Sequence, residues 1–391
     1  MTKIRITKNI TPAALSELYQ TYNSDTTNND IILVLPGEIN RYTFGLLSNL
    51  LKLVITINSK HRISKLIITV DQDDLGVFYD QEYAYPIVSL LWNTCSFFDR
   101  NGTDIKGILK ELQNSSWLIM NSLSKLKGNK YLLANVDHLG SSKGFVRLLE
   151  NEKGFNDDEP QIIDNIKKIL KDFVLTFNKK NHSEIDRYTG DIGAIIFELA
   201  KNTYEWGRTD QNSIDIPSSV RGVYLRFHTN DYKKLIEDYT GTPLATYFQN
   251  FEIKEHSVNE KGRIYYLEIL VFDSGIGFID KFQSNQGLSD IEIIKMCLIK
   301  NQTSSTSNLK SKKGIGLDRM LSILNKKGFL KICTDKYCVY RDLIKDEYKP
   351  VNIERLDELV LEDWNNNYFN VESNTKAQGS YLSILYPFKH N

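Results

Sequence analysis

The chain has 391 residues, enough for about two domains and for a core that needs no disulfide staples. Lys+Arg and Asp+Glu both total 49, so there is no bulk positive field to hold a nucleic-acid backbone, and nucleic acid is not indicated as a partner. Hydrophobic residues make up 41% and charged residues 25%, with no apolar run of membrane-spanning length, so no membrane role is expected.

Met1 to Asn9 is polar and basic and lacks the apolar centre of a secretion signal, which makes a cytoplasmic location the expectation. No pair among Cys95, Cys297, Cys333 and Cys338 has C-x-x-C spacing, which argues against a zinc ribbon. Buried free thiols are expected, although Cys333 and Cys338 lie where they could face each other across a hairpin.

In chain order, Ile31–Leu35 reads as a buried strand stopped by Pro36 and Gly37. Apolar residues recur at helical spacing over Tyr42–Ile57, and Leu66–Val70 is a second strand ended by the acidic turn Asp71–Asp74. Strand, helix, strand in this order predicts a parallel βαβ unit. A helix is expected over Ile87–Phe98, two more over Ile105–Leu112 and Trp117–Leu126, and a strand over Tyr131–Val136. The polar run Asn151–Pro160 places the domain boundary near residue 155, followed by an amphipathic helix over Ile162–Phe177.

Four short patterns then follow one another. Glu198-Leu199-Ala200-Lys201-Asn202 lies in an apolar helix starting near Asp191, and its Glu and Asn, four apart, share one face. A carboxylate beside a carboxamide suits a hydrated Mg²⁺ and an attacking water, although such a pair is usually only solvated. Asp273-Ser274-Gly275-Ile276-Gly277 follows the strand Tyr265–Phe272. An acid at a strand end can accept from an exocyclic amine, and the glycines allow a flat ring to come close; an ordinary glycine turn is the plain alternative. Lys312-Lys313-Gly314-Ile315-Gly316-Leu317 opens the helix Leu317–Leu324 behind the polar stretch Asn301–Ser311, a candidate lid. Finally, Gly379-Ser380 opens the strand Tyr381–Tyr386.

Each pattern is weak by itself; the order carries more. Over residues 160–390 it resembles the GHKL superfamily of gyrase B subunits, heat-shock chaperones, mismatch-repair ATPases and sensor histidine kinases. The fold expected is α/β: an N-terminal βαβ-type domain over 1–155, read from the strand–helix pattern, then, as the resemblance implies, a Bergerat-fold two-layer sandwich over 156–391 with insertions near 230–261 and 339–378. It implies ATP and Mg²⁺ as ligands, with Asn202 on the metal and Asp273, supported by Ser380, on the adenine amine. Gly275 and Gly277 would let base and ribose sit close, and Lys313, Gly314, Gly316 and Leu317 would line the triphosphate. Glu198 matches the general base of the hydrolysing branches. Trp206 falls where an aromatic often sits near the base, a position that core packing explains equally well.

Three features depart from the family: a long spacing from Asn202 to Asp273, Lys312 where many kinases carry a lid glycine, and the charged segment 339–378. The helix Ile162–Phe177 carries no phospho-acceptor His, and His182 sits in only a fragment of the expected pattern. The N-terminal βαβ unit faintly resembles STAS-type domains, which implies sensing or docking. The expectation is an ATP-driven conformational switch in a bacterial regulatory or defence system, working on a protein partner or as a homodimer. A kinase that phosphorylates a separate partner and a non-catalytic nucleotide sensor are the alternatives.

Overall fold

The computed structural model describes residues 2–23, 30–176, 186–210, 212, 214–282, 287–299, 316–351, 353–365 and 375–389. The protein is mixed α/β, built on a parallel sheet and a larger antiparallel one.

The parallel sheet runs in the order β1 (Thr2–Arg5), β2 (Asp30–Leu35), β3 (Arg62–Ile68) and β4 (Ser96–Phe98). Its crossovers carry α1 (Pro12–Asn23), α2 (Leu46–Lys60), and the pair α3 (Leu75–Tyr79) and α4 (Ala84–Leu91). The expected βαβ unit is thus present. The single helix expected over Ile87–Phe98 is not: α4 ends at Leu91 and the aromatic pair Phe97–Phe98 enters β4. Aromatic side chains suit a half-buried pleated surface, and the Trp92–Thr94 segment between them turns the chain. The two helices expected over 105–126 are one continuous helix, α5 (Lys106–Asn121).

The next elements are β5 (Lys130–Val136), α6 (Ser141–Gly144), the two-residue strands β6 (Glu150–Asn151) and β7 (Gly154–Phe155), α7 (Glu159–Ile169) and α8 (Thr189–Trp206). α7 runs on into a wider π turn, Leu170–Val174. The long strands β8 (Val220–Asp231) and β9 (Arg263–Asp273) form a hairpin whose connection carries α9 (Tyr232–Asp238), α10 (Pro243–Gln249) and α11 (Phe251–Ser257). These helices bury Leu235, Tyr239, Leu244, Tyr247 and Phe248 in a cluster with Phe44, Tyr266 and Phe329, so the insertion near 230–261 has a packed interior. There follow α12 (Phe278–Phe282), α13 (Asp290–Cys297), α14 (Gly316–Leu324), the hairpin β10 (Phe329–Thr334) and β11 (Tyr337–Asp342), then β12 (Glu362–Asp363) and β13 (Ser380–Pro387).

The larger sheet has the order β12-β11-β10-β13-β9-β8-β5, and every neighbouring pair is antiparallel. β5 is therefore an edge strand of the C-terminal sheet, paired with β8 from Lys130↔Arg226 to Val136↔Val220. The chain passes from one sheet to the other between Phe98 and Lys130, ahead of the boundary expected near residue 155. A lone apolar strand satisfies its backbone wherever an open edge accepts it, and here that edge is β8.

The larger sheet is also more than half of a two-layer sandwich. Alternate residues of a strand face opposite sides. On β9, the Asp273 side approaches Gly207 at the end of α8, while Tyr266 and Glu268 on the other side receive the backbone N–H groups of Phe44 and Gly45. Helices α7, α8 and α14 cover the first face, and α2 and α4 reach the second. With both faces covered, all eight residues of β13 are buried.

The second face is rich in buried polar contacts. Arg226 pairs with Glu82, which also accepts from Tyr224 at 3.0 Å and lies 3.2 Å from Lys130. His228 and Glu268 meet at 2.6 Å. Such groups are buried only when paired, so the two sheets are held in one arrangement rather than by interchangeable apolar contacts.

Candidate functional site

Two of the four sequence patterns come together through strand register. Asp273 at the end of β9 pairs with Ser380 at the start of β13 and, on its other side, with Arg221 of β8. The first pattern enters through α8, whose C-terminal end packs on the Asp273 turn. A Cβ on Gly207 would lie 2.7 Å from the Cβ of Asp273, so the helix end and the strand end are in direct contact. The third pattern is represented by its helix. α14 packs beside α8, with Arg319 and Asp191 at 3.6 Å and Leu317 buried. Gly316 begins that helix; Lys313, Gly314 and the lid 301–313 lie outside the described residues, as does His182.

α8 forms for ordinary reasons. Ile192, Ile195, Ile196, Leu199 and Ala200 give a wide buried stripe against α7 and the sheet. Glu198 and Asn202 lie off that stripe and are half-buried, the placement a functional pair on a helix needs. Trp206, near the end, makes an edge-on contact with Phe278, ring centroids 6.1 Å apart.

The Asp273 carboxyl is buried, and burial pushes its pKa up to about 7, against partial relief from the backbone N–H groups of Gly275 and Ser380 and from the Arg221 cation. Oδ1 accepts from Gly275 N–H at 2.8 Å. A second acid, Asp335, stands close by in the tight β10–β11 turn, with its pKa raised to about 6, burial again the leading cause. It accepts from Ile279 N–H at 3.0 Å and from Thr334 Oγ1 at 3.2 Å. Thr334 Oγ1 in turn accepts from Phe278 N–H at 3.0 Å and lies 3.2 Å from Ser380 Oγ.

The glycines here serve protein contacts. Gly277 has φ +90°, and a Cβ would lie 2.3 Å from the Asp335 carboxylate. Gly379 has φ +89°, and a Cβ would meet the Asp273 carbonyl oxygen at 2.0 Å. Both are places where any side chain forces the turn to move.

Several residues at this site escaped the sequence reading. Thr334 ends β10 and Asp335 follows it, with no motif around them. Gln378 donates to the carbonyls of Ser274 and Gly275 at 2.9 and 2.6 Å, and its own N–H reaches Thr56 Oγ1 on α2 at 3.0 Å. Arg221, almost fully buried, is held by Asp137 at 2.7 Å and by Glu150. Asp137 also accepts from Ser219 Oγ at 2.7 Å, and that hydroxyl reaches the Gly207 carbonyl at 3.1 Å. The one available signal was that an Arg in an apolar strand needs buried carboxylates somewhere.

Among the described residues, no group of three or more His, Cys, Asp or Glu side chains is placed to hold a metal by itself. No described helix is long and apolar enough to cross a membrane. Cys95 and Cys297 are buried free thiols, both pushed up to about 12 by burial, whereas Cys333 and Cys338, paired in register across the β10–β11 hairpin, form a disulfide. No protein-family model matches the chain, and neither a curated protein nor a solved structure matches it.

Proposed function

We propose that this chain binds Mg·ATP where α8 meets the ends of β9 and β13, and works as a nucleotide-driven conformational switch of the GHKL kind. The observation that carries the reading is the pairing of Asp273 with Ser380, with the end of the Glu198–Asn202 helix packed against the same turn. Three patterns far apart in sequence converge on one buried carboxyl. A buried acid at a strand end is suited to orient a base through its exocyclic amine, because its ionised form accepts and does not donate. Ser380 and Thr334 add small hydroxyls beside it.

Asn202 and the half-buried Glu198 stand one turn apart along α8. In this reading the Asn202 carboxamide would hold Mg²⁺, which would supply neutralisation of phosphate charge, and the Glu198 carboxylate would orient water and take its proton. With no cage of acids in reach among the described residues, the ion would be held largely by the nucleotide's own oxygens, as Mg²⁺ commonly is. The fit is therefore that of a nucleotide-borne ion, not a resident one.

The contacts of Gln378 supply a route for the switch. One side chain and its backbone join the Ser274–Gly275 turn to Thr56 of α2, so movement of the turn is felt by the N-terminal unit. The same segment accepts from Tyr19 and Asn23 of α1 at the Thr375 carbonyl, at 3.0 and 3.2 Å.

The test is Mg·ATP binding and phosphate release by wild type, Asp273→Asn, Asn202→Ala and Glu198→Ala. Binding by wild type and by Glu198→Ala, turnover by wild type alone, and no binding by Asp273→Asn support the hydrolytic switch. Transfer of label to a protein instead of free phosphate turns the reading to a kinase. Absence of binding by wild type at millimolar nucleotide defeats it.

A further inference from the structure

Between α1, α2 and the β10–β11 hairpin lies a small cleft of about 50 Å³, room for a compact group only, on the face of the large sheet away from α8. The lining includes Tyr19, Lys52, Lys331, Asp335, Lys336 and Trp364. The chain as a whole carries no net charge, so three lysines against one acid is a local excess of positive charge.

Two of these lysines are in an unusual position. Lys331 projects from the middle of β10 and is only 3% exposed. An ammonium has three N–H donors to satisfy. Lys331 has one long hydrogen bond, 3.4 Å to Asn49 Oδ1, and the Trp364 ring with its centroid 3.8 Å away. Lys52, half-buried on α2, has its Nζ 4.3 Å from the Tyr19 ring centroid. Among the described residues, neither lysine lies within salt-bridge distance of a carboxylate.

Glu268 acts on Lys331 electrostatically, but its oxygens are already engaged by His228 and by Gly45 N–H. Asp335 faces the cleft with Lys376 3.7 Å away. A cation over a ring recovers only a small part of the free energy lost on leaving water. The burial of both amines is accordingly felt in their protonation. Burial lowers Lys52 to about 8, and burial together with the neighbouring Lys52 charge lowers Lys331 well below the usual lysine range.

We infer that this cleft is a binding site for a small oxyanion ligand, a phosphate or carboxylate group held between the Lys52 and Lys331 amines with Trp364 and Tyr19 flanking it. An oxyanion has the charge and the several acceptor lone pairs that both amines lack, and it would complete their shells in one step. Two amines reaching in from different elements, β10 and α2, suit an anion approached from two sides. The cleft also touches what the nucleotide reading needs. Thr375 and Ala377 line it, and the Ala377 N–H donates to the Asp335 carbonyl at 2.7 Å. An anion here would bear on the segment that leads to Gln378 and Ser380.

The test uses the full chain, with calorimetry and thermal shift against inorganic phosphate, pyrophosphate and citrate at matched ionic strength. Saturable binding of at least one probe below about 10 mM, weakened about tenfold or more in Lys331→Met and in Lys52→Met, is the expected result. Phosphate or pyrophosphate as the preferred probe identifies a phosphoryl ligand, and citrate a carboxylate one. Lys331→Met should also raise the melting temperature of the ligand-free protein, since it replaces a buried, under-bonded amine by an apolar chain of similar length. If that variant fails to fold, Lys52→Met decides, because Lys52 is less deeply buried than Lys331. Binding must survive Asp273→Asn, which separates this cleft from the nucleotide pocket. No saturable binding by any probe, full binding in both lysine variants, or loss of binding in Asp273→Asn overturns the inference.

Discussion

Asp273 is the buried acid at the centre of the proposed site, and two opposite consequences are expected of its protonation. Its folded pKa of about 7 lies above the ordinary 3.8, so between these values the folded protein holds a proton that the unfolded chain has lost. Stability attributable to this group therefore falls as pH rises through that window and is flat outside it. Asp273→Asn should reduce the slope to the part due to Asp335, and at pH 8 it should be the more stable protein, by ~1–3 kcal/mol. Urea denaturation of both proteins from pH 5 to 8 measures the difference. Nucleotide affinity should run the other way. Only the ionised carboxylate accepts twice over, so ATP binding should weaken as pH falls below about 7, read from titrations at several pH values. The residue was legible in the sequence because its signal is local: an apolar strand, an acid, then two glycines. Its partner Asp335 was not, because Gly277 meets it through a hairpin that returns from much later in the chain.

At the scale of elements, the helices and strands that carry motifs sit close to where periodicity puts them: α8, β9, α14 and β13 each begin within two residues of expectation. The misjudged stretches had ambiguous local signals, as with the apolar run that α4 and β4 divide between them. The Arg221 network shows what joins these elements. One guanidinium on β8 bridges Asp137, after β5, and Glu150 of β6, and through Ser219 the same cluster reaches the end of α8. Removing the cation leaves the buried Glu150 and the half-buried Asp137 without a counter-charge. Arg221→Met should cost ~3–5 kcal/mol, more than Arg221→Met with Asp137→Asn and Glu150→Gln together. Chemical denaturation of the single and triple variants is the measurement. Sequence reading could not assemble this network, since it set Asp137 and Glu150 on one side of a boundary and Arg221 on the other.

For the molecule as a whole, the position of β5 decides what can be separated. A fragment starting at residue 156 would leave β8 as an open edge with its N–H and C=O groups unpaired, a template for association. A fragment starting near residue 125 keeps β5 and should be the better behaved of the two, although it uncovers the face that meets α2 and α4. Size-exclusion chromatography of the two fragments distinguishes these outcomes: aggregation of the first and a larger soluble fraction of the second. Composition indicated two units and the pattern of strands and helices indicated their class, but which sheet claims a lone strand depends on an edge formed by residues far along the chain.

The order of strands in the large sheet also bears on how the chain reaches this structure. β13, the last strand in sequence, lies between β10 and β9. Without it the sheet is two separate pieces, β12-β11-β10 and β9-β8-β5, each with a bare inner edge. During synthesis these pieces emerge first and must wait for Ser380–Pro387 to join them, with closure set by contacts between distant parts of the chain. The residue that completes the Asp273 turn is Ser380, the first of that strand. The Asp273 turn and the continuous sheet are therefore completed in the same late event, and a nascent chain has neither before its own architecture is finished.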